Sequence, residues 1–195
     1  WNTPAPIVYG TRLGAAQLNA SASVAGVFVY TPPAGTLLHA GAQTLSVSFT
    51  PTDTTYPPTT STVTLTVNQA TPVVTWTPPA PIVYGTPLGN TQLGARANVE
   101  GSFAYDPPAG AVVGVGSQML SVIFTPNDAV DYATATKTVT LTVTQATPVI
   151  SWYPAAIAPG MALGPAQLNA TANTAGTFVY DPPAGTVPAA GPQTL

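Results

Sequence analysis

The chain repeats itself every 75 or 76 residues. Trp1, Trp76 and Trp152 open three copies of one unit, and Tyr30, Tyr105 and Tyr180 follow at a constant spacing of 75. Around the tyrosines runs one phrase: FVYTPPAG from Phe28, FAYDPPAG from Phe103 and FVYDPPAG from Phe178. Each copy must therefore adopt the same small structure and live beside its neighbours, a constraint that favours length-setting arrays over a single active site. The units run over residues 1–70, 71–146 and 147–195. Aligned on the tyrosines, Leu195 matches Leu120 and Leu45, after which about 25 residues follow in the first two copies, so the third unit is expected to be C-terminally truncated.

Within a unit the hydrophobic period is two, the signature of a half-solvated strand. Leu45, Val47 and Phe49 alternate with Thr44, Ser46 and Ser48; Val63, Leu65 and Val67 alternate with Thr62, Thr64 and Thr66. The second unit repeats this with Leu120, Val122 and Phe124, then with Val139, Leu141 and Val143. Threonine suits the outer face, since its β-branch favours extended backbone and its hydroxyl meets water. Further short strands are expected at 6–9, 17–23, 27–31, 72–76, 92–98 and 102–106. PPAG at 32–35 and 107–110, Gly10, Gly85 and the stretches 51–58 and 126–131 announce turns. No segment carries a helical period with caps. Six or seven strands in about 75 residues predict an all-β fold of antiparallel β-sandwiches.

The units join through NQATP at 68–72 and TQATP at 144–148, with no flexible linker. Pro72 and Pro148 stiffen these joints. The expectation is a rod of sandwiches placed end to end, at about 35–45 Å per unit from strands of about 6–8 residues rising about 3.3 Å each.

Charge is scarce: three basic and six acidic residues, net −3. That leaves no basic patch for a nucleic-acid backbone. The absence of cysteine removes disulfides and thiolate metal sites. No run of 18 apolar residues is present to span a bilayer as a helix.

Candidate sites are few. His39 is the sole histidine, matched by Gly114 and Ala189, and reads as a surface loop residue. Asp53 in FTPTD, and Asp128 and Asp131 in FTPNDAVDY, are the only calcium candidates, because two aspartates three apart can join backbone carbonyls around a cation that wants six to eight oxygens. The same residues serve an Asx-turn, which is the expectation here. Glu100 is the only glutamate and its counterparts are Ala25 and Ala175, so the paired carboxylates of a glycosidase are missing. No nucleophile elbow or phosphate loop occurs, and neither an enzyme nor a cofactor is expected. Trp1, Trp76 and Trp152 offer either stacking surfaces for a glycan or plugs packed against the preceding unit; the second is preferred. Tyr56 and Tyr132 precede the last strand, where a sandwich often buries a corner tyrosine. Asn19 and Asn169 lie in N-A-S and N-A-T glycosylation sequences, which the second unit breaks with Gly94; the dense threonines near 59–66 offer O-linked sites.

The strings PIVYGTPLGNTQLGARANVEGSFAYDPPAG, GSQMLSVIFTPNDAVDY and TVTLTV closely resemble the bacterial Ig-like repeats of very large secreted or surface proteins. The resemblance covers the chain copy by copy, although the third unit reads SWYPAAIAPGMALG and lacks the tyrosine of the YG turn. It implies Ig-like sandwiches in tandem, an extracellular or cell-surface location, and work as a stalk, adhesin shaft or fibre, with no catalytic residues to carry over. Partners implied are neighbouring repeats. Two alternatives remain open: an adhesive module for a glycan or protein, and a subunit that assembles with other copies into a filament through open edge strands. Against the last, prolines 72, 78, 79 and 81 guard the second unit.

Overall fold

The computed structural model describes residues 1–195, which divide into two compact units, Trp1–Thr144 and Gln145–Leu195. The first unit holds two copies of one arrangement. In the first repeat, β1 (Ile7–Val8), β2 (Gly26–Thr31), β3 (Gly41–Pro51) and β4 (Thr59–Asn68) form a sheet in the order β1-β4-β3-β2. In the second, β5 (Val74–Thr75) precedes β6 (Ile82–Val83), and β7 (Arg96–Ala97) leads to β8 (Gly101–Asp106), β9 (Gly116–Pro126) and β10 (Ala135–Thr144). Its main sheet has the same order, β6-β10-β9-β8, and β5 pairs with β7 across from it. The fold is all-β: two curled four-stranded sheets, each the main layer of a sandwich-like domain, in tandem along the chain.

The alternation read from sequence sets the core. Leu45 pairs with Val63 and Leu120 with Val139, and the inward rows Leu45–Val47–Phe49 and Leu120–Val122–Phe124 are buried. Threonines occupy the outer face of β4 and β10. Phe28 and Tyr30 share one face as parity requires, with ring centroids 6.3 Å apart, and Phe103 and Tyr105 repeat this at 6.2 Å.

The opposing layer differs from expectation. The strand expected at 17–23 is a turn, and that at 92–98 shrinks to Arg96–Ala97. Gln17 and Leu18 amides both donate to Gly14 O, while Gln17 Oε1 accepts from Gly14 N at 3.1 Å. A glutamine that closes its own turn in this way diverts the backbone from a ladder. Prolines around β1 and β6 leave room for only two paired residues, since a proline cannot donate to the sheet. Those two strands run parallel to β4 and β10, and Tyr9 N continues the line by donating to Asn68 O.

The second unit, Gln145–Leu195, carries two short strands, β11 (Ile150–Ser151) and β12 (Thr171–Ala172), paired as β5 pairs with β7. Phe178 and Val179 match strand residues Phe103 and Ala104 but lie outside any strand, and Val179 is 97% exposed. In the second repeat the matching residues Phe103 and Ala104 pair with Phe124 and Ile123 of β9.

Gly101 sits where β8 crosses the Phe124 ring; a Cβ there would collide with that ring and with the Thr125 carbonyl. Gly101→Ala is expected to cost about 1–3 kcal/mol of stability, measured by denaturant unfolding.

Candidate functional site

Two side-chain constellations stand out, one inside every repeat and one between the first two. The internal one recurs three times. Trp1 Nε1 donates to Gln17 O (3.2 Å), Trp76 Nε1 to Gln92 O (3.0 Å) and Trp152 Nε1 to Gln167 O (2.7 Å). Each indole meets a tyrosine ring at a centroid distance of 5.4 Å, namely Tyr30, Tyr105 and Tyr180. Each tyrosine hydroxyl in turn accepts from a backbone amide ten residues earlier, at Ala20, Ala95 and Ala170, in every case at 3.0 Å. Each of these bonds lies within one repeat, and the junction plug expected of the tryptophans is not what Trp76 forms. Trp76 is buried in a cluster with Leu88, Leu93, Leu120 and Leu141, all of the second repeat. Trp1 and Trp152 are half-buried.

The second constellation is the joint between the first two repeats. β4 runs out at Asn68, and the chain continues through Gln69 and Ala70 beside the loop that connects β9 to β10. Ala70 N donates to Asp131 O and Ala133 N donates to Ala70 O, both at 2.9 Å, a parallel bridge that threads the connection into the next repeat. Gln69 Nε2 donates to Ala129 O at 2.8 Å and Val130 O at 3.2 Å. Asp131 is the centre. It is 1% exposed, the only buried acidic group. Its Oδ1 accepts from Ala40 N and its Oδ2 from His39 Nδ1, each at 2.7 Å. Tyr9 closes the side, edge-on to Tyr132 (5.4 Å) and stacked on His39 (6.5 Å).

The loop that presents Asp131 is built by Asp128, whose Oδ1 accepts from Val130 N and Asp131 N at 3.1 Å. Asp53 does likewise in the first repeat, accepting from Thr55 N and Oγ1 at 2.9 and 2.8 Å. Both are Asx-turns. The three aspartates read from sequence as calcium candidates are thus engaged with amides, a hydroxyl and an imidazole, and no cluster of three or more His, Cys, Asp or Glu side chains is placed to hold a metal. Asn19 and Asn169 are exposed, each with its amide donating to the carbonyl three residues back. Tyr56 is 51% exposed, so the corner tyrosine expected there is not buried, and Tyr132 serves the joint instead. His39 is an exposed loop residue as its sequence suggested, but its bond to Asp131, 92 positions away, had no signal in the sequence beyond one extra residue in the second loop relative to the first.

The electrostatics follow from this geometry. Burial pushes the Asp131 carboxyl up, but the Ala40 amide and the His39 contact outweigh it and hold the pKa below its ordinary 3.8. The hydrogen bond and charge of Asp131 raise His39 above 6.5. Burial and the same charge raise Tyr9 above 10.0.

No family model matches the chain, and no curated protein does. Among solved structures, the fibronectin(III)-like modules of Clostridium thermocellum CbhA are similar over 73% of this chain and 91% of theirs, at 16% identity and a TM-score of 0.27. At that level the likeness assigns no role to any residue. The fold defines a protein of tandem sandwich-like β-domains. No helix is long and apolar enough to cross a membrane.

Tyr105→Phe is expected to leave the Ala95 amide without its acceptor and to cost about 1 kcal/mol in denaturant unfolding, with the Trp76 contact retained. Asp131→Ala is expected to speed hydrogen exchange at Ala40, Ala70 and Ala133 while leaving the amides of Ala20 and Ala95 protected.

Proposed function

We propose that the chain is a structural spacer: a run of extracellular Ig-like modules that sets a distance, as part of a stalk, an adhesin shaft or a fibre. The observation that carries this reading is the joint. Asp131, His39, Gln69 and the Ala70 bridge tie one repeat to the next through side-chain and backbone hydrogen bonds. A connection meant only to tether would need none of these, and flexible linkers are built from unpaired Gly and Ser. The buried tryptophan of the second repeat supports the same reading over a ladder of glycan-stacking sites. The prolines that guard its strand ends support separate modules over edge-to-edge filaments.

Electron microscopy of the native, full-length protein at the cell surface tests this. Thin, unbranched rods with a beaded repeat of about 35–45 Å are expected. Thick filaments with laterally packed chains would overturn the spacer in favour of self-assembly, and a flexible string of beads would overturn rigidity.

A further inference from the structure

The joint contains the chain's only histidine and its only salt bridge, and they are the same feature. The contact joins residues 92 apart, so it forms only when the first two repeats are docked. His39 stands in the turn before β3, with its side chain 78% exposed, while Asp131 is 2% exposed. The ring is therefore open to solvent protons on one side and held against a buried carboxylate on the other. The groups facing it are Asp131 and Asp128 from the β9–β10 loop, Tyr9 from the end of β1, and Tyr132 behind Tyr9. All are acidic or neutral, and no lysine or arginine ion pair competes for the carboxylate.

We propose that this joint is a pH-dependent hinge, in which an imidazolium–carboxylate contact between His39 and Asp131 fixes the first two modules in mildly acidic solution and loosens them when His39 gives up its proton. The direction follows from linkage. A histidine whose pKa is raised on docking stabilises the docked state fully below its ordinary value of 6.5, and that contribution fades as pH rises through the raised value. Asp131 sets the opposite limit: with its pKa lowered, its contribution is present above 3.8 and is lost as pH falls through the depressed value. The joint is thus firmest between the two. Deprotonation weakens docking without abolishing it, because Ala40 N still bonds Asp131 Oδ1 and the Ala70 backbone bridge carries no titratable group. The device changes stiffness, not connection. It belongs to this joint alone among those the sequence spans, since Gly114 stands at the matching position of the second repeat.

The inference rests on the spacer reading, and one experiment separates the two. The chain has no cysteine, so Thr62→Cys and Thr138→Cys, both exposed on the long strands, give two specific sites for dyes in the full chain. Single-molecule energy transfer then reports the spread of module orientations at about pH 5.5 and about pH 9, while the lone imidazole resonance reports the pKa of His39. A narrow distribution at the lower pH is expected, with the docked-to-undocked ratio falling roughly twofold to fivefold at the higher one, the range for a solvent-screened ion pair. His39→Gln is expected to abolish the pH response and leave each module folded. A wild-type distribution equally narrow at both pH values, or a His39→Gln chain with the same pH response, would overturn the hinge and leave the spacer standing. A broad distribution at both would overturn hinge and spacer together.

Discussion

The indole N–H bond to a glutamine carbonyl is the fixed point of each repeat. With no cysteine, a domain of this size has no covalent staple, and small sandwiches without one depend on packing. Here the staple is an aromatic corner. The tryptophan is locked by its N–H, the tyrosine ring lies against it, and the tyrosine hydroxyl holds the backbone just past the glutamine turn, at Ala20, Ala95 or Ala170. The edge-on contact adds about 0.5–1.5 kcal/mol beyond simple burial. The same geometry survives in the third repeat, where the segment from Trp152 to Gln167 is one residue shorter than its counterpart. The corner therefore tolerates variation in the loop above it, which explains how SWYPAAIAPGMALG replaces TWTPPAPIVYGTPLG without displacing the indole.

Charge scarcity gives the joint its character. A chain with nine ionised residues in 195 has few charges to place, and it buries one of the six acids between two domains. Such a carboxylate is tolerated only when its oxygens are met by donors, and both are. Removing the carboxylate would leave the Ala40 amide unpaired in the same place. The Asx-turn at Asp128 aims Asp131, so two neighbouring aspartates divide the work: one shapes the loop and the other bonds across the boundary.

The long strands were legible because burial on one face writes itself as a period of two: Leu120, Val122 and Phe124 inward, Met119, Ser121 and Ile123 outward. The short strands were less so. A turn closed by a glutamine side chain and a two-residue strand hemmed by prolines carry no period, and 17–23 looks extended until Gln17 is seen bonded to Gly14. The repeated tyrosine was visible as a position but not as a hydrogen-bond acceptor, since its partner is a backbone amide without a sequence identity. The joint was least visible of all. Asp128 turned out to be the Asx-turn residue its sequence suggested, whereas the role of Asp131 is set by His39 and Ala40 about ninety residues upstream.

The corner is also local in sequence. Its two hydrogen bonds close loops of 15 or 16 and of 10 residues, all in the first part of a repeat, whereas β4 and β10 come last. Short loops close at less entropic cost and sooner. Every bond of the corner closes within the first half of its own repeat, so copies can be added to or removed from such an array without rewriting a neighbour's corner.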